Sequence, residues 1–357
     1  MTVVHVTGAR PNFPKAAPVV KALAARGVPQ LLVHTGQHYD DRMSEVFFEQ
    51  LAIPRPDVNL GVGSGSHAQQ TAAVMIGIEQ VLLDNDPSLV VVYGDVNSTV
   101  AAALVAAKLH VPVAHVEAGL RSFDREMPEE INRLLTDQLS DLLFATSADA
   151  IGHLAREGVP DEKIHFVGNP MIDTLLANID RFDVARVRAE HGLEGDYAVA
   201  TLHRPANVDD DASAARVVGA LRALAAHYTV VFPVHPRGRQ RLLDNGLADV
   251  PEVLLTEPLG YIDFMSLVRG AGCVVTDSGG VQEETTVLGV PCLTLRTTTE
   301  RPVTITNGTN RLVAFDDLPD AIAAVARAGR PVTWKVPPLW DGHAGERIAD
   351  IIAARRA

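Results

Sequence analysis

Cysteine is scarce in this sequence, with Cys273 and Cys292 the two among 357 residues. Each lies in or beside a short apolar run, which favours buried free thiols over a disulfide scaffold or a metal cluster. Basic residues are outnumbered by acidic ones, and the net charge is −13. This disfavours a nucleic-acid partner, because duplex binding depends on basic residues that release counterions. A small anion could still bind at a local pocket of Arg, Lys and backbone N–H groups.

Long apolar runs are also missing. No run approaches the roughly 20 residues that a helix needs to span a membrane. The N-terminus lacks the order of basic, apolar and cleavage regions that marks a signal peptide. We therefore predict a cytoplasmic protein without a membrane partner. Hydrophobic residues at 47% and charged residues at 21% are typical of a globular chain. The length suggests two domains or one large one.

Short β-branched runs alternate with longer helical patterns, such as residues 212–227. Continuously apolar strands joined by helices indicate parallel sheets covered on both faces. About eleven strands are many for one open sheet, so two doubly wound α/β sheets are more economical. We predict a domain at 1–168, a second at 169–340 and an amphipathic closing helix within 341–357. The predicted strands are 3–7, 31–35, 89–93, 112–116, 142–145, 164–167, 197–201, 229–233, 252–255, 273–276 and 291–295.

Residues just after the strands are the candidates for a site, because open parallel sheets bind ligands at the carboxyl ends of their strands. The first strand runs into Gly8-Ala9-Arg10-Pro11-Asn12-Phe13-Pro14-Lys15 and then into a helix. A helix N-terminus offers free N–H groups to an anion, and Arg10 and Lys15 add positive charge. The alternative is an ordinary loop with two solvated cations.

Three carboxylates follow consecutive strands of the first half, namely Asp95, Glu117 and Glu129. Each has a structural alternative: Asp95 could cap a helix, Glu117 could pair with Arg121, and Glu129 could serve the first turn of a helix that begins at Pro128. Carboxylates brought together raise one another's pKa, so that one can act as an acid and another as a base. The grouping therefore indicates proton-transfer chemistry.

A glycine-rich segment at 61–65 resembles a dinucleotide-binding loop only weakly. The third glycine of that fingerprint should fall at position 66, which is Ser66, and residues 57–60 make a poor strand. We interpret the segment as a flexible loop. No nicotinamide cofactor, other cofactor or metal is predicted.

In the second half, His203 and His235 each follow a strand, and histidine is the usual proton carrier near neutral pH. A histidine satisfied by neighbouring backbone is the alternative for His203. The sharpest signal is the strand, Ser-Gly-Gly turn and helix of residues 273–284, whose unblocked N–H groups suit a diphosphate. Glu284 is placed to accept hydrogen bonds from ribose hydroxyls. We favour a phosphate site over a plain tight turn because Arg301 follows soon after.

Together these stretches resemble the non-hydrolysing UDP-N-acetylglucosamine 2-epimerases over nearly the whole chain. The resemblance implies two Rossmann-like domains in the GT-B arrangement, an active site in the cleft between them, a final helix that returns to the first domain, and a homodimer. It implies catalytic roles for Asp95, Glu117, Glu129 and His203. The implied substrate contacts are Arg10, Lys15, His235, Phe264, Ser278, Gly279, Gly280, Glu284 and Arg301. Gln37 and His38 match part of a second UDP-sugar site.

The resemblance also implies a reaction, in which UDP leaves carbon 1 as carbon 2 loses its proton, and then returns after protonation on the other face. Four alternatives remain open. They are a hydrolysing epimerase, an epimerase for another UDP-2-acetamido sugar, a GT-B glycosyltransferase and a non-enzymatic sugar-nucleotide sensor. A sensor would keep residues 278–280 and Arg301 but would not need Asp95, Glu117 and His203 together.

Overall fold

The computed structural model describes residues 2–36, 48–202, 211–234 and 236–355, without the side chains of Arg10, Pro236 and Arg237. The chain forms two compact units. One unit comprises Met1–Ala177 with Pro338–Ala357, and the other comprises Asn178–Pro337. Each unit holds one parallel sheet with helical crossovers. The predicted fold class, two Rossmann-like doubly wound parallel sheets, is confirmed.

The sheet of the first unit has the strand order β3-β2-β1-β4-β5-β6-β7. Its central strands are apolar and fully buried; in the fourth strand no residue is more than 1% exposed. Burying one such Val side chain contributes roughly 1.5–3 kcal/mol. The strands are β1 (Val3–Thr7), β2 (Gln30–His34), β3 (Val58–Asn59), β4 (Leu89–Tyr93), β5 (Val113–Ala118), β6 (Leu142–Ala145) and β7 (Ile164–Phe166).

Helices connect these strands and cover the sheet. They are α1 (Phe13–Ala25), α2 (His67–Asn85), α3 (Asn97–Lys108), α4 (Pro128–Leu139), α5 (Ala148–Arg156), α6 (Pro170–Ala177) and the closing helix α14 (Ala344–Ala354). Helix α2 starts with a capping box in which Ser66 and Gln69 satisfy each other's backbone amides. The serine that departs from the dinucleotide fingerprint is therefore the N-cap of this helix.

The closing helix α14 packs on α1 and α6 within the first unit. Asp173 on α6 accepts a hydrogen bond from the Gly345 amide at 2.7 Å, which satisfies one of the free N–H groups at the start of α14. Gly345 lies so close to Pro18 that an added Cβ would be 2.7 Å from the Pro18 carbonyl carbon. Because α6 packs on α1, the first unit includes residues 169–177, which the sequence prediction assigned to the second domain.

The sheet of the second unit has the order β10-β9-β8-β11-β12-β13. Its strands are β8 (Tyr197–Thr201), β9 (Thr229–Pro233), β10 (Val253–Thr256), β11 (Cys273–Thr276), β12 (Cys292–Thr294) and β13 (Asn310–Leu312). Its helices are α7 (Val184–Glu190), α8 (Asp211–Ala225), α9 (Pro236–Asp244), α10 (Tyr261–Gly270), α11 (Gly279–Leu288), α12 (Val303–Thr306) and α13 (Leu318–Ala328).

Two short strands were not predicted. Residues 57–60 make a poor strand by sequence, but Val58–Asn59 pairs with the edge of β2, and β13 pairs with β12. Both lie at the edge of a sheet, where the neighbouring strand offers free backbone groups. Cys273 and Cys292 are buried and free, which confirms the prediction. No helix in the described residues is both long and apolar enough to cross a membrane.

Candidate active site

The candidate site of the first unit lies where β1 and β4 run side by side, the point at which the strand order of the first sheet reverses. Asn12 joins the ends of these two strands. Its Oδ1 accepts hydrogen bonds from the Gly8 and Ala9 amides, both at 3.0 Å, and its Nδ2 donates to the Tyr93 carbonyl at 2.8 Å. Asn12 was not predicted as a site residue. The tendency of asparagine to form hydrogen bonds with nearby backbone groups could have indicated its role.

Lys15, in the first turns of α1, forms an ion pair with Glu117. Both residues are buried, at 5% and 3% exposure. Gly94, which follows β4 with a φ of +65°, lies against this pair: an added Cβ would be 3.0 Å from the Lys15 Nζ and 3.2 Å from the Glu117 Oε2. The sequence suggested Arg121 as a structural partner for Glu117, but the cation that pairs with Glu117 is Lys15. Arg121 pairs elsewhere, with Asp137 and Glu157.

The sequence predicted that Glu117 directly follows a strand, but the residue lies inside β5. Its φ is +79°, and the register between β5 and β6 shifts between Val116 and Ala118. A left-handed conformation costs a residue with a Cβ roughly 1–2 kcal/mol. Strain of this kind persists where the surrounding structure fixes it, and it clusters at functional sites.

Asp95 follows Gly94 and forms an ion pair with Arg133 of α4. Its backbone carbonyl accepts a hydrogen bond from the Asn132 Nδ2 at 2.9 Å. Helix α3 begins at Asn97 with Val96 as its N-cap, so Asp95 is not a capping residue. Its carboxylate is therefore committed to Arg133, and its side chain keeps 22% exposure.

Glu130, beside the predicted Glu129, organises the loop before α4. It accepts hydrogen bonds from the amides of Ser122 and Phe123, both at 3.0 Å, and it pairs with Arg133 at 2.7 Å. Burial disfavours its charge, but the bonds to Ser122 and Arg133 outweigh burial and lower the pKa of the Glu130 carboxyl. Sequence analysis missed Glu130, although its i,i+3 spacing to Arg133 was visible. Glu129 is partly buried in the first turn of α4.

In the second unit, the predicted phosphate site is the start of α11. Ser278 is its N-cap residue, and within the described structure the Ser278 side chain does not cap the first amides of the helix. The Arg301 guanidinium lies at this turn, because a Cβ added to Gly279 would be 2.5 Å from the Arg301 Nη1. The turn thus combines helix N–H groups with a fixed cation, an arrangement suited to phosphate. Glu300 and Glu283 pair with the same arginine.

Gln282 holds the Arg301 loop against α11. Its Oε1 accepts hydrogen bonds from the Thr299 Oγ1 at 2.8 Å and from the Asn310 Nδ2 at 3.0 Å. Thr299 in turn accepts the Arg301 amide at 3.1 Å. Gln282 was not predicted as a site residue, since its role depends on contacts that are distant in sequence.

Glu284, one turn further along α11, is 5% exposed. Burial, with repulsion from Glu283 added to it, raises the pKa of Glu284 to about 8, although the nearby Tyr261 hydroxyl opposes the shift. Phe264 is partly buried on α10, the same helix that carries Tyr261.

Several predicted site residues lie outside the described part of the chain: Gln37, His38, His203, His235 and the side chain of Arg10. The described residues bring Lys15, Glu117 and Gly94–Asp95 together in the first unit. In the second unit they bring the turn at 278–280 together with Arg301. No group of three or more His, Cys, Asp or Glu side chains among the described residues could hold a metal ion.

Comparison with known proteins points in one direction. The family model described as UDP-N-acetylglucosamine 2-epimerase matches residues 21–353. The UDP-N-acetylglucosamine 2-epimerase of Methanocaldococcus jannaschii is 43% identical over 358 residues, which is 97% of each chain. The UDP-2,3-diacetamido-2,3-dideoxy-D-glucuronate 2-epimerase of Pseudomonas aeruginosa is also 43% identical, over 99% of each chain.

Solved structures agree with these relatives. The crystal structure of the Methanocaldococcus jannaschii UDP-GlcNAc 2-epimerase in complex with UDP-GlcNAc and UDP superposes with a TM-score of 0.91 at 42% identity, covering 99% of this chain and all of that one. The enzyme of Neisseria meningitidis bound to UDP-GlcNAc superposes with a TM-score of 0.89 at 28% identity, again over 99% of this chain and all of the other.

Proposed function

The chain belongs to the UDP-N-acetylglucosamine 2-epimerase family, and from this premise we propose that it interconverts UDP-N-acetylglucosamine and UDP-N-acetylmannosamine without releasing free sugar. The observation that carries the proposal is the pair of carboxylates at neighbouring strand ends of the first sheet. Asp95 and Glu117 are each held by their own cation. Relatives that resemble the chain along its length are named UDP-N-acetylglucosamine 2-epimerase.

The chemistry of the substrate favours elimination. The hydrogen on carbon 2 of this sugar is not next to a carbonyl group, so its removal alone would not give a stabilised anion. If the bond from carbon 1 to UDP breaks as carbon 2 loses its proton, the electron pair of the C–H bond forms the double bond of 2-acetamidoglucal. A proton then adds to the opposite face of carbon 2, and UDP returns to carbon 1.

We assign the proton transfers to Asp95 and Glu117, with Glu129 as a third candidate. Transfers at two faces need at least two acid–base groups, each worth about 10²- to 10⁴-fold in rate. The ion pairs of Asp95 with Arg133 and of Glu117 with Lys15 support this assignment, because each cation fixes the position of its carboxylate and stabilises its ionised form. Arg10 and His203 are proposed to assist the departing and returning diphosphate.

The second unit is proposed to hold UDP. The Ser278 hydroxyl, the N–H groups of Gly279 and Gly280 and the Arg301 guanidinium stabilise the leaving diphosphate, while Glu284 accepts hydrogen bonds from the ribose hydroxyls. Phe264 is assigned to the uracil, and His235 to the substrate. The proposal therefore requires the acid–base groups of the first unit and the UDP groups of the second to act on one substrate molecule.

A second substrate deserves the same assay, since the relative from Pseudomonas aeruginosa, named for UDP-2,3-diacetamido-2,3-dideoxy-D-glucuronate, is as similar to this chain as the Methanocaldococcus enzyme. Both substrates carry the 2-acetamido group and the UDP that elimination requires. They differ at carbons 3 and 6. Comparing kcat/KM for the two identifies the preferred sugar.

The decisive experiment uses deuterated water. The protein is incubated with UDP-N-acetylglucosamine, and the products are followed by NMR and mass spectrometry. UDP-N-acetylmannosamine with deuterium at carbon 2 supports the proposal. Free N-acetylmannosamine with UDP indicates a hydrolysing epimerase. No turnover of either UDP-sugar refutes the epimerase proposal and favours a transferase or a sensor.

A further inference from the structure

His115 of β5 is fully buried, and both of its ring nitrogens have partners. The Nδ1 atom lies 2.6 Å from the Asp137 Oδ1, and the Nε2 atom lies 2.8 Å from the Gly94 carbonyl oxygen. Asp137 belongs to α4, and Gly94 directly follows β4. The ring therefore connects a helix to the turn that carries Asp95.

Both partners of the ring are hydrogen-bond acceptors. A carbonyl oxygen can only accept, and the second carboxylate oxygen of Asp137 already accepts from the Gly119 amide at 3.1 Å and pairs with Arg121 at 2.7 Å. Burial disfavours the Asp137 charge, but His115 and Arg121 outweigh it and lower the pKa of the Asp137 carboxyl. The Nε2 atom of His115 therefore donates a hydrogen bond to the Gly94 carbonyl, and the Asp137 carboxylate holds the Nδ1 side of the ring.

The Asp137 carboxylate lies in a chain of charged and polar groups. It faces His115 on one side and Arg121 on the other, and Arg121 also pairs with Glu157 at 2.6 Å. The chain runs from the C-terminal end of α5, where the Glu157 side chain is 25% exposed, to the Gly94 carbonyl. Burying such charges is costly unless every one is paired, so this cluster tolerates no displaced member without loss.

The position of the Gly94 carbonyl affects both proposed acid–base groups. Gly94 lies against the Lys15–Glu117 pair, and Asp95 is the next residue. A rotation of the Gly94–Asp95 peptide would move the Asp95 carboxylate relative to Glu117. Misplacing a reacting group by about 1 Å can cost about 10²-fold in rate.

We propose that His115 is a positioning residue for epimerisation, whose ring, held by Asp137, fixes the Gly94 carbonyl and thereby sets the Asp95 and Glu117 carboxylates at carbon 2 of the sugar. This inference rests on the proposed function. His115 acts through Gly94 and does not touch the substrate.

The test compares His115→Leu, His115→Gln and Asp137→Asn with the wild type in the deuterium assay. We expect His115→Leu to lower kcat about 10- to 100-fold with little change in KM and with unchanged affinity for UDP in calorimetry. His115→Gln retains an N–H donor and should recover part of the rate. Asp137→Asn removes the carboxylate that holds the Nδ1 side of the ring and should resemble His115→Leu.

His5→Leu is the matched control, since His5 is equally buried in the same sheet, on β1, and bonds side chains only. It should lower thermal stability and leave kcat within about twofold below the melting transition. ¹⁵N NMR of the wild type should show a hydrogen on the His115 Nε2, the atom that faces the Gly94 carbonyl.

Two results would overturn the inference. One is a folded His115→Leu protein whose kcat stays within about threefold of the wild type. The other is a ¹⁵N NMR spectrum in which the His115 Nε2 carries no hydrogen. If His115→Leu does not fold, His115→Gln and Asp137→Asn decide: unchanged kcat in both refutes the positioning role. A wild type that incorporates no deuterium refutes the proposed function itself. The rates of the variants relative to the wild type test only the positioning role of His115.

Discussion

Lys15 and Glu117 are 102 residues apart in sequence and form a buried ion pair beside Gly94. The pair links α1 to the bulged end of β5, where Glu117 adopts a left-handed backbone conformation. A cation predicted to meet the substrate thus already has a carboxylate partner in the protein. The two roles are compatible in the proposed mechanism. When Glu117 takes up a proton it loses its charge, and the Lys15 ammonium can then pair with the departing diphosphate.

Breaking this pair should be costly. Lys15→Met leaves Glu117 buried without its cation, and we expect a loss of about 3–5 kcal/mol in the free energy of unfolding. Adding Glu117→Gln removes the carboxylate charge that Lys15→Met leaves buried, so the double variant should be more stable than Lys15→Met alone. Chemical denaturation of the four proteins of this double-mutant cycle measures the coupling. Strict additivity of the two single changes would show that the pair contributes nothing.

Asp95 should be required for turnover and not for UDP binding. Asp95→Asn keeps the size of the side chain and loses its ability to exchange a proton, so kcat should fall by about 10²-fold or more. The UDP affinity measured by calorimetry should stay within about twofold of the wild type. Asp84→Asn, on the exposed end of α2, is the control. Near-native turnover of Asp95→Asn would remove Asp95 from the mechanism.

Glu284 should make UDP binding depend on pH. Its pKa of about 8 keeps much of the carboxyl protonated at neutral pH, whereas hydrogen bonds from ribose hydroxyls favour the ionised form. UDP affinity should therefore rise as the pH increases from 7 towards 8.5. Glu284→Gln should bind more weakly and lose this added pH dependence. Because the ligand's own ionisation affects both proteins alike, identical slopes would contradict the assignment.

His5 should couple stability to pH. Burial lowers the pKa of His5 to about 4 from 6.5, even though its bond to Gln30 opposes the shift. The folded state therefore keeps the ring neutral where the unfolded chain takes up a proton. This contribution is fully present above pH 6.5 and is lost as the pH falls towards 4, amounting to about 3 kcal/mol. Unfolding of the wild type and His5→Leu across this range should show a smaller slope in the variant. Equal slopes would assign the acid sensitivity to other groups.

Gly345 should be necessary for the docking of α14. A Cβ at this position would lie 2.7 Å from the Pro18 carbonyl carbon and 2.9 Å from its Cβ, so Gly345→Ala should displace the helix even though alanine favours helices. Hydrogen exchange of residues 344–354 should accelerate, and the melting temperature should fall.

Gly219→Ala in α8 is its matched control. An added Cβ there meets nothing within 4 Å, so the higher helix propensity of alanine should stabilise the protein by up to about 1 kcal/mol. Faster exchange in α14 of this control, or unchanged exchange in Gly345→Ala, would contradict the steric explanation.

Sequence patterns predicted the fold well where the elements are long. The apolar runs at β1, β4 and β11 are buried on both faces and could be read directly as strands of parallel sheets. The end of the first unit could not be located from sequence. Helix α6 follows β7 as a crossover to a second sheet would, and only its packing on α1 assigns it to the first unit.

For the site, residue order alone determined that acidic residues follow or end neighbouring strands and that a Ser-Gly-Gly turn opens a helix near an arginine. The tertiary structure decided which charges meet. It pairs Glu117 with Lys15 and Asp95 with Arg133, and it places His115 between Asp137 and Gly94. The physical reason is range: periodicity and turn chemistry act over a few neighbouring residues, whereas an ion pair depends on distances that exist only once the strands have been brought together.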